Sequence, residues 1–269
     1  MDYLAAFYYG IIQGLTEFLP VSSSGHLALL PTVLNISDPG VVFDLAMHLG
    51  TAFSIFLYFH KDIKSILKES ISLLNKNYIK TEKTYFTLNL LIATSTTLVL
   101  VLIAKKFAFE HGRQVNIIAI NLLLFGILMW IFDSRGKMSE TYYMNKKIDY
   151  KKATLIGLFQ AMAIFPGVSR SGATLTISRA LGLSREESTR FSFLLSLPII
   201  IGGLVFKLPE FFSGKVQFDL SICLFGIFVS FVIGLITIHF FLIFIKRMGL
   251  WIFSIYRVAL AILLLFYFN

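Results

Sequence analysis

The sequence predicts an all-α integral membrane protein with an inverted-topology repeat, and three observations support this fold class. Of the 269 residues, 57% are hydrophobic and only 14% are charged, whereas soluble domains average about 25% charged residues. The apolar residues are grouped into segments close to the roughly 20 residues that a helix needs to cross a bilayer. Two further segments contain similar polar motifs in their centres, which indicates that the chain consists of two related halves.

The apolar segments predict six membrane spans and two broken elements. Residues 3–34 and 153–183 are interrupted by proline, glycine and serine, and their apolar arms are too short for two full crossings. Interrupted backbone at membrane depth is tolerated only where it is buried in protein or lines a cavity. We therefore expect both segments to be re-entrant helix–loop–helix elements. The predicted spans are residues 41–59, 85–104, 115–132, 189–207, 220–245 and 250–268.

Basic residues predict how the chain crosses the membrane. The net charge of +9 is concentrated in residues 61–83 and 135–152, and short cytoplasmic loops of membrane proteins carry such an excess of Lys and Arg. Both loops are therefore predicted to be cytoplasmic and both termini external. Because these charges lie in loops between apolar segments rather than on an aromatic and basic surface, we expect no nucleic-acid partner.

The predicted elements divide a single membrane domain, residues 1–269, into two repeats. Repeat one covers about residues 1–132, a cytoplasmic linker covers residues 133–152, and repeat two covers about residues 153–269. Each half contains one re-entrant element and three spans, and because three is odd the second half is inverted. Inverted repeats place their binding site near the bilayer midplane at the repeat interface, so we expect the two polar motifs to meet there.

Two pairs of polar residues have helical spacing within apolar sequence. Gln13 and Glu17, in the motif QGLTEFLPVSSSGH, are four residues apart and share one helical face. A carboxylate in the membrane is costly unless it is paired or hydrated, so Glu17 is predicted to be a metal ligand or a general base. An ion pair with Arg170 that stabilises the fold is the alternative. Asp44 and His48 are also four apart, and they either line the same cavity or form hydrogen bonds between helices.

Three serines and a histidine end the first motif. Ser22, Ser23 and Ser24 precede a new apolar segment, as at a helix N-terminus, where free amides also bind anions. Capping alone is the alternative for each serine. His26 follows Ser23 by three residues, and a Ser–His pair can form an activated nucleophile. A histidine that only forms hydrogen bonds is the competing interpretation.

The second motif, FPGVSRSGAT, occupies residues 165–174 and repeats the Val-Ser-x-Ser-Gly core of the first. Its Arg170 lies between Ser169 and Ser171, at the predicted start of a helix. A guanidinium beside helix N-terminal amides suits a phosphate, because its planar fork bonds two oxygens at once. A surface arginine in a cytoplasmic loop is the alternative.

These motifs resemble those of a known family, the undecaprenyl-diphosphate phosphatases of the bacitracin-resistance type. Residues 13–26 resemble the family's (E/Q)xxxE-FLPVSS-GH stretch, and residues 166–174 match its PGxSRSxxT motif at each fixed position. Residues 44–51 and 191–198 are also similar. The resemblance implies a multi-pass hydrolase of the bacterial inner membrane. Such an enzyme removes the terminal phosphate of undecaprenyl diphosphate at the outer face and yields the carrier lipid of cell-wall synthesis.

The resemblance also implies a cofactor, a divalent cation that is usually magnesium or calcium, and roles for individual residues. The implied catalytic residues are Glu17, Ser23, His26 and Arg170, the substrate-binding residues are Gln13, Ser22, Ser24, Ser169, Ser171 and Thr174, and the metal ligands are Glu17 and Gln13. The family pattern allows Gln or Glu at position 13. Because Gln13 cannot be a general base and is a poorer metal ligand than a carboxylate, the metal is assigned mainly to Glu17.

The chemistry and the function each have an alternative. Either Ser23 or a water molecule attacks the phosphate, and either His26 or Glu17 handles the proton. A carrier-lipid flippase or transporter is the alternative function, because inverted repeats with broken helices are transporter architecture. The combined Glu, Ser, His and Arg set favours an enzyme. A homodimer is compatible with the sequence, which does not define the oligomeric state.

Overall fold

The computed structural model describes residues 2–36, 38–75, 79–111, 114–135, 149–212 and 219–267. These residues form α-helices and no β-strand within the described ranges, which confirms the predicted all-α class. Within the same ranges a single 3-10 turn, Met162–Ile164, lies between two of the helices. The helices are α1 (Tyr3–Thr16), α2 (Ser23–Leu34), α3 (Val41–Tyr58), α4 (His60–Ser72), α5 (Glu82–His111), α6 (Val115–Arg135), α7 (Tyr150–Ala161), α8 (Arg170–Ala180), α9 (Arg185–Phe212), α10 (Leu220–Arg247) and α11 (Trp251–Tyr267).

Four of the described helices, α5, α6, α9 and α10, are long and apolar enough to cross a membrane. Large apolar side chains cover their outer faces, as at Ile103 (74% exposed) and Phe240 (64% exposed). Exposed apolar surface on this scale is rare on soluble monomers and indicates contact with lipid. The chain is therefore a multi-pass membrane protein. The four helices contain the predicted spans 85–104, 115–132, 189–207 and 220–245.

The other two predicted spans, residues 41–59 and 250–268, are helical, and each differs in detail from the expected form. Helix α3 does not end in a loop, because α4 continues from it after a bend of 83° at Phe59. Helix α4 forms where the sequence predicts a basic loop, because Ile63 and Ile66 pack against the core while Lys61 and Lys64 are exposed. Helix α11 is apolar as predicted, and its 17 described residues lie at the lower end of the length range of membrane-spanning helices.

Both predicted broken elements are present, and their breaks have the same local structure. Helices α1 and α2 are separated before Ser22, and α7 and α8 are separated before Ser169. Both serines have positive φ, 77° and 69° respectively, which is uncommon for residues other than glycine. Each caps the following helix by accepting a hydrogen bond from the amide three residues later, Gly25 or Gly172. The chain thus uses one strained turn twice, at corresponding positions of the two motifs.

The short helix of each half packs against a long helix of the other half. Helix α1 lies against α10, and α7 lies against α5. Glycine allows both close approaches, because a Cβ added at Gly10 would lie 2.8 Å from the carbonyl oxygen of Gly226, and one added at Gly157 would lie 2.4 Å from that of Ala93. Small residues permit such backbone contact between membrane helices. This reciprocal packing places the ends of α1 and α7, and therefore both polar motifs, next to each other.

A buried carboxylate fixes α8 and the start of α11. Asp133, near the end of α6, accepts hydrogen bonds from Arg179 Nε at 2.9 Å, Arg185 Nη2 at 2.8 Å and the backbone amide of Leu250 at 2.9 Å. Arg179 is 1% exposed and Asp133 is 5% exposed. A buried charge is tolerated when it is paired and hydrogen-bonded. The cluster therefore holds α6, α8, α9 and the residue before α11 together.

Candidate active site

The two polar motifs meet, as the sequence predicts. The Ser22 hydroxyl oxygen accepts a hydrogen bond from the amide of Gly167 at 3.1 Å. In the opposite direction, the Ser171 hydroxyl donates to the carbonyl oxygen of Leu19 at 3.1 Å. Each motif therefore supplies a serine that binds the backbone of the other. Helices α2 and α8 both begin at this junction, which we call the motif junction (residues 17–26 and 165–174).

Arg257, a residue that the sequence analysis does not identify, holds the motif junction together. It lies in α11 and is completely buried. Its guanidinium donates to five backbone carbonyl oxygens: Gly167 at 2.7 Å, Val168 at 3.0 Å, Pro20 at 3.1 Å, Leu122 at 3.3 Å and Asn121 at 3.4 Å. The two loops of the junction thus share one donor group. The available signal was a single arginine inside a predicted apolar span, because an ionisable residue there indicates a specific role.

Glu17 is the centre of the polar groups at the motif junction. It is 6% exposed, and its Oε1 forms an ion pair with Arg170. Its Oε2 accepts hydrogen bonds from Gln13 Nε2 at 2.9 Å and from the Ser23 hydroxyl at 2.7 Å. Four of the predicted site residues are therefore in direct contact around one carboxylate. The Glu17–Arg170 ion pair, one of the two interpretations of Glu17, is present in the same arrangement.

The predicted Ser23–His26 pair does not form. His26 Nδ1 donates to the Ser22 carbonyl oxygen at 2.8 Å, and its Nε2 accepts from the Tyr256 hydroxyl at 2.6 Å. The His26 and Tyr256 rings also stack, with centroids 5.7 Å apart. Both ring nitrogens are therefore occupied within the described part of the chain, while the Ser23 hydroxyl donates to Glu17. The three-residue spacing did place both side chains on one turn, but the His26 ring forms its hydrogen bond with Ser22, the N-cap residue of its own helix.

His48 reaches the site, and Asp44 contributes through its backbone. His48 Nδ1 donates to the carbonyl oxygen of Asp44 at 2.7 Å, one turn earlier in α3. Its Nε2 lies 3.4 Å from Glu17 Oε2. His48 therefore lies beside the predicted site residue Glu17.

Most of the predicted phosphate-binding hydroxyls are used inside the protein. Ser22, Ser169, Ser171 and Thr174 are all buried. Ser22 and Ser169 cap helices and Ser171 binds the first motif, as described above. The Thr174 hydroxyl contacts the carbonyl oxygen of Arg170 at 2.9 Å and the Ser192 hydroxyl at 2.5 Å. Ser23, Ser24, His26 and Arg170 are only half-buried, so these are the predicted side chains that remain accessible.

The accessible part of the motif junction suits an anion. Helices α2 and α8 both direct their N-terminal ends to it, and such ends carry partial positive charge. The Arg170 side chain is 17% exposed and is held by a hydrogen bond to the carbonyl oxygen of Ser196 at 3.3 Å. Guanidinium groups and helix N-termini are groups that can bind the oxygens of a phosphate.

The predicted metal pair fits a cation in part. The described residues contain no cluster of three or more His, Cys, Asp and Glu side chains that could hold a metal ion. They do provide the Glu17 carboxylate and, beside it, the amide of Gln13, whose Oε1 is buried and has no hydrogen-bond partner within the described ranges. A magnesium ion is commonly held by one or two protein oxygens and completed by water and substrate phosphates. The two residues therefore fit as partial ligands of such an ion.

Comparison with known protein families identifies the family to which this sequence is similar. The family model described as "Bacitracin resistance protein BacA" matches residues 6–263. The match includes both polar motifs, all eleven described helices at least in part, and Arg257.

Proposed function

The chain belongs to the bacitracin resistance protein BacA family, and on this basis we propose that it is an undecaprenyl-diphosphate phosphatase. It removes the terminal phosphate and leaves undecaprenyl phosphate, the carrier lipid of bacterial cell-wall synthesis. The observation that carries the proposal is the contact of Ser23 and Arg170 with the same carboxylate, Glu17. The proposed nucleophile, Ser23, the proposed base, Glu17, and the phosphate-binding guanidinium of Arg170 are thus adjacent. This set favours hydrolysis over the flippase alternative, which needs no base beside a hydroxyl.

The proposed attack begins with the Ser23 hydroxyl. Glu17 Oε2, 2.7 Å from Ser23 Oγ, accepts its proton as the oxygen attacks the terminal phosphorus. The bond from this phosphorus to the bridging oxygen breaks, and undecaprenyl phosphate leaves. A water molecule then hydrolyses the phosphoserine, which releases inorganic phosphate and restores Ser23. The direct Ser23–Glu17 hydrogen bond supports serine rather than water as the first nucleophile, and Glu17 rather than His26 as the base.

Arg170 positions the substrate. In the free protein it pairs with Glu17, and an arriving diphosphate offers its guanidinium a bidentate partner of higher charge. The N-terminal ends of α2 and α8 add positive potential at the same position, where negative charge increases in the transition state. Glu17 and Gln13 would hold a divalent cation, magnesium or calcium, which would supply further neutralisation of the diphosphate charge when bound. The prenyl tail lies among the apolar helices.

The proposed function includes a membrane orientation. We place the protein in the bacterial inner membrane with its site accessible from outside, both termini external and its halves inverted. The reciprocal packing of α1 on α10 and α7 on α5 supports the inverted repeat. Single cysteines at Asn77 and Asn145, which lie outside the described residues, test the orientation in a Cys223→Ser background. Neither should react with a membrane-impermeant thiol reagent until the membrane is opened, and external labelling of either contradicts the proposed topology.

Phosphate release tests the activity. Purified protein should release one inorganic phosphate from each undecaprenyl diphosphate, and Ser23→Ala should reduce the rate by roughly 100-fold or more, as expected for removal of a nucleophile. Ser72→Ala, a serine of α4 that bonds only its own helix, is the matched control and should keep the wild-type rate. No release by wild-type protein, together with transfer of labelled lipid between vesicle leaflets, would support the flippase instead.

A further inference from the structure

The hydrogen bonds of His48 define which of its nitrogens carries the proton. A carbonyl oxygen can only accept, so Nδ1, which lies 2.7 Å from the Asp44 carbonyl oxygen, is protonated. In the neutral ring Nε2 then has a lone pair and no proton. This lone pair lies 3.4 Å from Glu17 Oε2, and an ionised carboxylate is also only an acceptor. Two acceptors at this separation repel each other unless a positive group lies between them.

A second acceptor without a partner belongs to Gln13, whose amide lies beside Glu17 Oε2. Gln13 is completely buried, and within the described ranges its Oε1 has no hydrogen-bond partner. The other end of this amide, Nε2, donates to Glu17 Oε2 at 2.9 Å and to Thr51 Oγ1 at 3.3 Å. A half-turn of the amide exchanges its oxygen and nitrogen. The Gln13 oxygen would then face Glu17 Oε2, together with His48 Nε2.

The separation of these donors fits a metal ion. Two ligand atoms that each lie about 2.1 Å from a tetrahedral ion are about 3.4 Å apart, which matches the Nε2–Oε2 distance of 3.4 Å. Arg170 pairs with the other carboxylate oxygen, Oε1, so Oε2 is the oxygen that lies nearest His48 Nε2. The Ser23 hydroxyl also donates to Oε2, at 2.7 Å, so it would be adjacent to an ion bound there.

We propose that His48 is a third protein ligand of the cation site formed by Glu17 and Gln13. The inference rests on the cation requirement of the proposed function and changes the expected metal. Imidazole nitrogen favours borderline ions such as Mn²⁺, Co²⁺ and Zn²⁺ relative to Mg²⁺ and Ca²⁺, which prefer all-oxygen sites. Because Gln13 is neutral, the site has one negative charge fewer to attract a hard ion than it would have with Glu at this position. The chain therefore binds divalent ions that favour a nitrogen ligand, such as Mn²⁺, Co²⁺ and Zn²⁺, more tightly than magnesium or calcium.

Pulsed electron paramagnetic resonance of bound Mn²⁺ tests this directly, without substrate. The purified full-length protein, titrated with Mn²⁺, should show ¹⁴N modulation from one directly bound imidazole. Protein labelled with ¹⁵N-histidine should lose this ¹⁴N signal. The second measurement needs no variant, so a folding defect cannot explain its result. Oxygen-only coordination, absence of Mn²⁺ binding, or a ¹⁴N signal unchanged by the label would each overturn the proposal. A proton shared between the Glu17 carboxylate and His48, in place of a metal ion, would also overturn the proposal. It would be recognised by the absence of manganese–nitrogen coupling.

Variants identify the histidine. His48→Gln should remove the ¹⁴N signal and weaken Mn²⁺ binding by at least about tenfold, a typical effect of losing support at a metal site. His26→Gln is the matched control and should keep both the signal and the affinity, because both His26 nitrogens are already hydrogen-bonded. Loss of the signal in His26→Gln but not in His48→Gln would overturn the assignment. Phosphate release, measured on the same preparations, separates the two proposals: a nitrogen signal without hydrolysis contradicts only the proposed function, and hydrolysis without the signal contradicts only the His48 ligand.

Discussion

Replacing Arg257 by lysine should destabilise the protein and disable the site, although the charge is kept. The guanidinium donates to Pro20 in the first loop and to Gly167 and Val168 in the second, at 2.7–3.1 Å. A lysine ammonium has three donors, but all are on one atom. It can therefore serve one loop, and the carbonyl oxygens of the other lose their charged partner.

The contacts set the size of the effect. A hydrogen bond to a charged group contributes roughly 1.5–3 kcal/mol, so the loss of one or two of the three short contacts costs about 1.5–6 kcal/mol. Each kcal/mol lowers the melting temperature of a chain of this size by about 2–4 °C, which predicts a decrease of roughly 3–24 °C. Displacement of the loops by about 1 Å should also reduce turnover about 100-fold.

The measurement compares thermal unfolding and phosphate release of purified Arg257→Lys with those of Arg247→Lys. Arg247 is exposed at the end of α10, and its replacement should change stability by no more than about 0.5 kcal/mol. If the two variants melted and turned over alike, the five carbonyl contacts would not be what holds the two loops together.

Three further predictions use phosphate release by purified variants. Arg170→Lys should lower turnover about 100-fold without changing the melting temperature, because a point charge cannot replace the bidentate fork; a near-normal rate would exclude Arg170 from phosphate binding. Glu17→Gln should abolish activity whereas Gln13→Glu should be tolerated, since a second carboxylate assists cation binding; the reverse result would contradict the proposed division of roles. Ser23→Ala combined with Glu17→Gln should lower the rate of phosphate release little more than either change alone, because the two residues act as a unit. The rate reductions caused by Ser23→Ala and His26→Ala should instead multiply in the double variant. Multiplying penalties in the first pair would indicate that water attacks.

The sequence predicted those features that repeat or that follow from hydropathy. Four spans, both broken elements and the meeting of the two motifs could be predicted, because apolar length and the doubled Val-Ser-x-Ser-Gly core are local patterns. The grouping of Glu17 with Arg170 followed from the same reasoning, since each charge in apolar sequence requires a partner. The catalytic roles of these residues stay predictions.

What the sequence did not reveal depends on contacts between distant segments. Arg257 donates to residues more than a hundred positions away, and no local pattern marks those carbonyl oxygens as acceptors. His26 has the spacing of a serine partner, but Tyr256 of α11 competes for its ring. The lysines of α4 give this segment the composition of a loop. Its helical structure is stabilised by the packing of Ile63 and Ile66 on the core.

The position of Arg257 has a consequence for biosynthesis. Glu17 is synthesised 240 residues before Arg257, which lies in α11. At about 5–20 residues per second, the first loop waits on the order of tens of seconds before the side chain that binds Pro20 is synthesised. Until then the nascent chain contains the proposed nucleophile, base and phosphate-binding arginine without the group that fixes their loops. A product truncated before α11 should therefore be inserted in the membrane yet lack the proposed phosphatase activity.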